Sequence, residues 1–245
     1  MTPELIDYVR RVGPEYGTED SSIYLYSMIK MQRPQMVLEL GTGLGTCTFP
    51  MAQGVKENGE GHVWTVDDGS QWPEKRKHPH VRERTRGKPQ PYGAYIRDLA
   101  GAFGVDRHMT LIEDRMPPYP DPDGPVDLLF CDFRHDLVGV MAILGAYLPR
   151  MSGASSIYID SASTFYPSYL LLERLVDMFR RNQVPEQLLH VAGEENAGKI
   201  LNLVPRRRFT LVHLTERKTR EQNSMCWLKI EPHDVIPHPR TELHG

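Results

Sequence analysis

The sequence predicts an α/β fold in which helices cover both faces of a doubly wound, mostly parallel sheet. Five short apolar runs alternate with segments of helical pattern, which is typical of strand–helix–strand units. Four of these runs stop at an acidic residue, and the first carries Glu39 one position before its end. Because ligands bind at the carboxyl ends of such strands, we expect these acids to lie along one rim and to form a site.

Each element follows from its local pattern. Helices are predicted at 3–12 and 20–33, and Pro34 ends the second because a residue before proline is pushed out of the helical region. The five strands are short apolar runs bounded by breakers, as buried strands are. We place them at 36–40, 62–66, 109–112, 126–131 and 156–159. Further helices are predicted at 46–57, 93–103, 136–147 and 166–182.

In the C-terminal part of the chain, the regular alternation of strands and helices ends. Three more strands are predicted at 200–204, 209–214 and 225–230. The charged stretch 215–224 joins the last two, which indicates an antiparallel hairpin. We therefore expect helices in residues 1–35, one core domain over 36–231 and a polar tail over 232–245.

Composition excludes several classes of protein. The chain has 245 residues, 40% of them hydrophobic, and a formal net charge of −3, so a disordered chain or a general polyanion binder is not expected. The longest apolar run, 137–148, is too short to span a bilayer, and the N-terminus lacks the pattern of a secretory signal. Three widely spaced cysteines do not suit a disulfide framework or a zinc knuckle. We expect a cytoplasmic protein that does not bind membranes.

The strongest local motif is a glycine-rich loop that begins at Glu39. It reads Glu-Leu-Gly-Thr-Gly-Leu-Gly over 39–45, after a predicted strand and before a predicted helix. Glycines at this point let the backbone turn tightly and approach a ligand. Residue 46 is Thr, so the dinucleotide fingerprint fails at its third glycine. Asp67 ends the next strand, where a carboxylate can accept hydrogen bonds from a ribose diol.

This loop resembles motif I of class I S-adenosylmethionine-dependent methyltransferases, and the resemblance covers about residues 35–231. It implies a Rossmann-like sheet with an antiparallel C-terminal hairpin strand, and S-adenosyl-L-methionine as cofactor. Three loop glycines would line the methionine portion, Asp67 would hold the ribose and Asp114 would lie near the adenine. The residues implied around the cofactor are Glu39, Gly41, Thr42, Gly43, Gly45, Asp67, Asp68, Asp114 and Asp132. Pro50 departs from the pattern, and it must fall in the first turns of its helix or kink it.

A second motif at 126–135 resembles a segment of macrocin-type and catechol-type small-molecule O-methyltransferases. That resemblance implies that Asp132 binds a divalent metal such as Mg²⁺, and that His135 lies near the acceptor hydroxyl as its base. Asp160 and Ser161 fall where those enzymes place Asp-Asn as further metal ligands. A serine hydroxyl is a poorer ligand for a hard cation than an amide oxygen, so the metal stays an open question.

The basic flap, residues 70–92, is too long for an ordinary strand–helix connection. It carries seven lysines and arginines, at Lys75, Arg76, Lys77, Arg82, Arg84, Arg86 and Lys88. Three interpretations stay open: a solvated insertion, a mobile lid over the acceptor site or a nucleic-acid arm. The N-terminal helices likewise could form an acceptor wall, a homodimer surface or simple packing.

The function that these observations favour is O-methylation of a small-molecule, natural-product hydroxyl. Methylation of an amine or peptide nitrogen stays open, as does RNA methylation through the basic flap, although nucleic acid is the less favoured partner. A cofactor-binding module without catalysis is disfavoured by the presence of both Asp132 and His135. An NAD-dependent oxidoreductase is disfavoured by the missing third glycine.

Overall fold

The computed structural model describes residues 1–16, 19–116, 123–215 and 224–233. Nine α-helices and seven strands lie in these ranges. The helices are α1 Pro3–Tyr16, α2 Glu19–Gln32, α3 Thr48–Asn58, α4 Trp72–Lys75, α5 Pro79–Thr85, α6 Tyr92–Ala102, α7 Leu137–Tyr147, α8 Tyr166–Arg180 and α9 Glu186–Leu203. The strands are β1 Met36–Leu40, β2 His62–Val66, β3 Met109–Ile112, β4 Val126–Cys131, β5 Met151–Asp160, β6 Arg207–Thr215 and β7 Ser224–Pro232.

The seven strands form one sheet in the order β3-β2-β1-β4-β5-β7-β6. The first five are parallel, and β7 is antiparallel to both of its neighbours, β5 and β6. The predicted Rossmann-like sheet with its antiparallel C-terminal hairpin is therefore confirmed. Because β1, β4 and β5 are adjacent, their carboxyl ends meet at one rim of the sheet.

Apolar side chains fill a layer on each face of the sheet. In β1, Val37 faces the layer that contains α1, α2, α3 and α6, whereas Leu38 and Leu40 face the layer that contains α7, α8 and α9. This alternation follows from the two-residue period of a strand. Glu39 has the parity of Val37 and so lies on the α3 face of the sheet.

One predicted strand is wrong. Residues 200–204 form the end of α9 and the short 3₁₀ helix Val204–Arg206. Ile200 and Val204 are both buried, and their spacing of four residues places them on one face of a helix. A short apolar run does not distinguish a buried strand from a helix, which explains the error.

Smaller differences concern where elements begin. β5 begins at Met151 rather than at 156, with an irregularity in its pairing to β4 between Val126 and Leu128. The helix predicted at 46–57 begins at Thr48, so Pro50 lies in its first turn, where no intrahelical donor is needed. That expectation for Pro50 is confirmed.

All three cysteines are buried and free of disulfides, as expected. In the described ranges, no helix combines the length and apolar character needed to cross a bilayer. The connection 216–223 of the predicted hairpin lies outside the described residues, as does the part of the polar tail after residue 233.

Candidate active site

The glycine loop makes a tight turn directly on the end of β4. Gly41 has φ 96°, and a β-carbon there would lie 2.6 Å from the backbone oxygen of Asp132. Gly45 has φ 80°, and a β-carbon there would lie 2.3 Å from the ring of Phe49. Both the positive φ and the close approach exclude larger residues. The structure therefore brings the predicted loop and the predicted Asp132 together.

Glu39 lies beneath this loop and is buried. Its carboxylate accepts hydrogen bonds from the hydroxyls of Thr48 at 2.5 Å and Thr65 at 2.6 Å. Burial raises the pKa of Glu39 to about 7, although both hydrogen bonds act in the opposite direction. Thr65 also shares a hydrogen bond of 2.5 Å with Thr42 of the loop. Glu39 therefore links β1, β2, α3 and the glycine loop from below.

The acids after β2 hold the turn that follows that strand. The Asp67 carboxylate accepts hydrogen bonds from the backbone N–H of Gly43 at 2.9 Å and of Gly69 at 2.8 Å. Asp68 accepts from the N–H of Ser70 at 2.8 Å, and hydrogen bonds from Ser70 lower the pKa of Asp68. Asp67 therefore stands beside the glycine loop, as predicted for a residue of the cofactor site, whereas Asp68 is exposed.

The acids after β3 differ in what they contact. Asp114 is exposed and accepts a hydrogen bond from the N–H of Arg115 at 2.7 Å. Glu113, which the sequence did not single out, pairs with Arg97 of α6 at 3.0 Å. A β-carbon at Gly93 would lie 2.0 Å from a Glu113 carboxylate oxygen, so Glu113 lies directly against α6. The role of Asp114 near the adenine stays a prediction.

The basic flap is folded onto the glycine-loop side of the rim. It contains α4 and α5 rather than a long loop, because Trp72 and Val81 are buried in the core. At its C-terminal end, the Tyr92 hydroxyl donates a hydrogen bond of 2.9 Å to the carbonyl of Gly43. The Nζ of Lys75 lies 3.3 Å from the position that a β-carbon on Gly43 would occupy. Tyr92 and Lys75 are therefore site residues that the sequence analysis missed.

Asp132 and Asp160 follow adjacent strands at the same rim. Cys131 pairs in register with Ile159, so each acid is one residue beyond that pair. Ser161 is buried, and its hydroxyl donates to a carboxylate oxygen of Asp160 at 2.7 Å. Within the described ranges, no three His, Cys, Asp or Glu side chains group together as metal ligands would. The predicted metal role of Asp132, Asp160 and Ser161 stays a prediction.

His135 lies in the turn between β4 and α7. Its ring is 5.7 Å from the ring of Phe165, edge to face, and its backbone carbonyl accepts a hydrogen bond from the Ser168 hydroxyl. The cap of α7 is Asp136, whose carboxylate accepts from the N–H of Gly139 at 2.9 Å. The side chain that caps α7 is therefore that of Asp136 and not that of His135.

A pocket of about 560 Å³ opens further along the rim. Its wall combines α2, the end of β6 and the start of β7, and we call it the acceptor pocket. The lining residues are Asp20, Ser21, Tyr24, His213, Leu214, Thr215, Ser224 and Met225. Tyr24 packs edge to face on Tyr158 at 5.9 Å, and Tyr158 stacks on Trp227 at 5.8 Å. The residues described as lining this pocket include none from the basic flap.

Two contacts connect the acceptor pocket with the rest of the rim. Ser22, next to the lining residue Ser21, donates a hydrogen bond of 2.8 Å to the carbonyl of Thr46 in the glycine loop. Met225 pairs in register with Asp160. No local motif marked the lining residues, because they come from three separate parts of the chain.

Comparisons with known proteins agree with this architecture. A family model described as "Methyltransferase domain" matches residues 38–162. No curated protein sequence matches the chain significantly. The O-methyltransferase TomG from Streptomyces achromogenes is 12% identical with a TM-score of 0.55, over 94% of this chain and 91% of that one.

Two further solved structures are similar to the same degree. An O-methyltransferase from Bacillus cereus is 13% identical with a TM-score of 0.56, over 94% of this chain and 92% of that one. A putative O-methyltransferase from Klebsiella pneumoniae is 14% identical with a TM-score of 0.55, over 94% of this chain and 91% of that one. At such identities the likeness shows a shared fold. Because the family model matches more than half of the sequence, the chain belongs to this methyltransferase family, which confirms the predicted class I methyltransferase.

Proposed function

We propose that this enzyme transfers a methyl group from S-adenosylmethionine to a hydroxyl of a small molecule bound in the acceptor pocket. The observation that carries the proposal is that the glycine loop with Asp67 and the acceptor pocket share one rim of the sheet. The cofactor supplies a methyl group bound to a positively charged sulfur. The chain's own residues bind and align the two molecules, which is the main requirement of an in-line transfer.

The residues of the cofactor side fit S-adenosylmethionine. The Asp67 carboxylate accepts two backbone hydrogen bonds, and a carboxylate has about four acceptor positions, so it can also accept bonds from ribose hydroxyls. The positive φ of Gly41 and Gly45 keeps side chains away from the loop surface. Gly41, Gly43 and Gly45 would line the methionine portion, with Asp67 at the ribose.

The acceptor pocket fits a small molecule. Its volume of about 560 Å³ lies within the roughly 300–1,000 Å³ range of small-molecule sites. Its wall combines apolar contact from Leu214 and Met225 with hydroxyls and the imidazole of His213. Because α2 supplies three of the lining residues, we assign the N-terminal helices the role of an acceptor wall. The O-methyltransferases among the structural neighbours agree with a hydroxyl acceptor.

Mg²⁺ assistance is a second part of this proposal. Mg²⁺ is often bound through one or two carboxylates while it keeps several waters, and Asp132 with Asp160 offers such a pair. Such an ion would orient the acceptor oxygen and ease loss of its proton. Ser161 would orient Asp160 through their hydrogen bond of 2.7 Å.

A hydroxyl acceptor also needs a group that takes its proton. Two histidines of the rim can do so: His135, which the sequence predicts, and His213, which lines the acceptor pocket. His135→Ala lowers turnover by about 10²–10⁴-fold if His135 is the base.

Calorimetry tests the cofactor part of the proposal. Wild-type protein should bind S-adenosylhomocysteine and should not bind NAD. Asp67→Ala should weaken that binding by about 1.5–3 kcal/mol, the value of a hydrogen bond to a charged group. Asp106→Ala is the matched control, since Asp106 is exposed and precedes β3, at the opposite end of the strands, and it should leave binding close to wild type. Binding of NAD instead would contradict the proposal.

A methyl-transfer screen with labelled cofactor tests the acceptor part. The panel contains phenols, sugars, amines and tRNA, each assayed with Mg²⁺ and with EDTA. We expect methylated phenols or sugars, and a loss of activity in EDTA. Full activity in EDTA would reject the metal, and exclusive methylation of amines or tRNA would reject hydroxyl transfer.

A further inference from the structure

Three side chains meet at His213, one from the turn after β5 and two from α8. Its Nδ1 lies 2.8 Å from the hydroxyl oxygen of Ser163, in the turn after β5. Its Nε2 lies 3.1 Å from a carboxylate oxygen of Glu173, on α8. The ring of Tyr169, one helical turn before Glu173, packs on the imidazole at 4.4 Å. Both ring nitrogens of His213 are therefore within hydrogen-bonding distance of a partner, and these contacts fix the orientation of the imidazole ring.

The hydrogen-bond inventory assigns the protons of this group. A carboxylate only accepts, so Nε2 must carry a proton toward Glu173. In the neutral imidazole, Nδ1 is then the acceptor, and the Ser163 hydroxyl donates to it. The same hydroxyl lies 3.0 Å from the carbonyl oxygen of Met225. When Nδ1 gains a proton, the Ser163 hydroxyl can turn to Met225 and accept from Nδ1, so His213 is protonated without losing a partner.

Two acidic side chains lie near His213. Glu173 faces it from α8, and Asp20 faces the same acceptor pocket from α2. A carboxylate bonded to the far nitrogen of an imidazole stabilises the imidazolium that forms, as in serine hydrolases. Glu173 is 52% exposed, so water can afterwards take the proton away.

We propose that Ser163, His213 and Glu173 form a relay that takes the proton of an acceptor hydroxyl bound in the acceptor pocket. The relay rests on the proposed function. The acceptor oxygen forms a bond to the methyl carbon while the methyl–sulfur bond breaks and its electron pair stays on sulfur. The acceptor's proton moves to the oxygen of Ser163 as the proton of Ser163 moves to Nδ1 of His213. His213 is the base, and Glu173 is a positioning residue.

The test uses acceptors of graded acidity. Wild type and His213→Gln are assayed with a series of phenols that runs from 4-methoxyphenol to 4-nitrophenol, the last being ionised at the assay pH. Glutamine keeps a donor toward Glu173 and cannot take a proton. We expect kcat to fall by about 10²–10⁴-fold for the weakly acidic phenols and to stay close to wild type for 4-nitrophenol. A merely structural role would lower both equally, which would overturn the relay.

Partner variants sharpen this test. Ser163→Ala should show the same selective loss, and Glu173→Gln a smaller one, while the affinity for S-adenosylhomocysteine and the melting temperature stay close to wild type. His190→Gln is the matched control, because His190 is exposed on α9. A selective loss in His135→Ala, with none in His213→Gln, would assign the base to His135 and overturn the relay.

Nitrogen-15 NMR of histidine-labelled enzyme tests the relay without turnover. Neutral His213 should carry its proton on Nε2, and the Nδ1–H tautomer would overturn the relay. If the wild type methylates no hydroxyl at all, the proposed function fails, while the tautomer still reports on the relay. The two failures are therefore distinguishable.

Discussion

The two sides of the active-site rim are built in different ways. On the side that we propose for the cofactor, the candidate binding groups come from the contiguous segment 39–45 and from the residues that directly follow β2. On the acceptor side, the wall of the pocket comes from α2, β6 and β7, and the turn after β5 contacts it through Ser163 and His213. The cofactor side depends on a backbone conformation that the local sequence specifies. The acceptor side is assembled from side chains that lie far apart in the chain. We therefore expect mutations on the cofactor side to affect folding and cofactor binding, and those on the acceptor side to affect acceptor binding or turnover.

The largest effect is expected from Gly41→Ala. The change places a β-carbon 2.6 Å from the Asp132 backbone oxygen in addition to the strain of a positive φ. Such strain alone costs of order 1–3 kcal/mol, so the sum should exceed that range and abolish cofactor binding. Thermal unfolding and calorimetry measure both effects. Gly87→Ala is the control, because Gly87 also has a positive φ but has no atom within 4 Å of the added carbon. Equal losses in the two variants would show that the close approach at β4 is unimportant.

A pH-dependent effect of intermediate size is expected from Glu39. Burial raises its pKa in the folded chain to about 7 from the ordinary value of 4.5. Between these values the folded state binds more protons than the unfolded state, so stability falls as the pH rises through this window. The loss should be of order 3 kcal/mol for a shift of this size.

Urea unfolding at a series of pH values measures this contribution. In Glu39→Gln, which cannot ionise, the fall between pH 4.5 and 7 should disappear. Asp68→Asn is an exposed substitution on the same side of the rim, and in this variant the free energy of unfolding should still fall between pH 4.5 and 7. A Glu39→Gln profile parallel to that of the wild type would contradict the assignment.

The smallest effect on stability is expected on the acceptor side. Tyr24→Ala removes the edge-to-face contact with Tyr158, and such pairs contribute about 0.5–1.5 kcal/mol beyond their buried area. It should raise the acceptor KM and leave the affinity for S-adenosylhomocysteine unchanged. Tyr166→Ala, at a residue that is 68% exposed, is the control. A change in cofactor affinity in Tyr24→Ala would show that the two sides of the rim are coupled.

The parts of the site that could be predicted are those that depend on residues close together in the sequence. The apolar runs of β1 to β5, the glycine loop and Asp67 each follow from residues within one segment, and the structure brings them to one rim. The strand predicted at 200–204 failed because Ile200 and Val204 are buried with a spacing that suits a helix, and an isolated apolar run does not reveal its period. The two helices of the basic flap were not predicted, because the burial of Trp72 and Val81 depends on the surface against which they pack.

The sequence by itself determined the class of fold, the place of the glycine loop and the rim of the sheet at which the acids collect, since backbone conformation and strand polarity depend on neighbouring residues. Only the tertiary structure decided that Tyr92 and Lys75 lie on Gly43, that α2 lines the acceptor pocket, and that Ser163, His213 and Glu173 meet. These contacts join residues far apart in the chain: Tyr92 and Gly43 are 49 positions apart, and Ser163 and His213 are 50. Their proximity follows from strand order and helix packing, which no local pattern of residue types specifies.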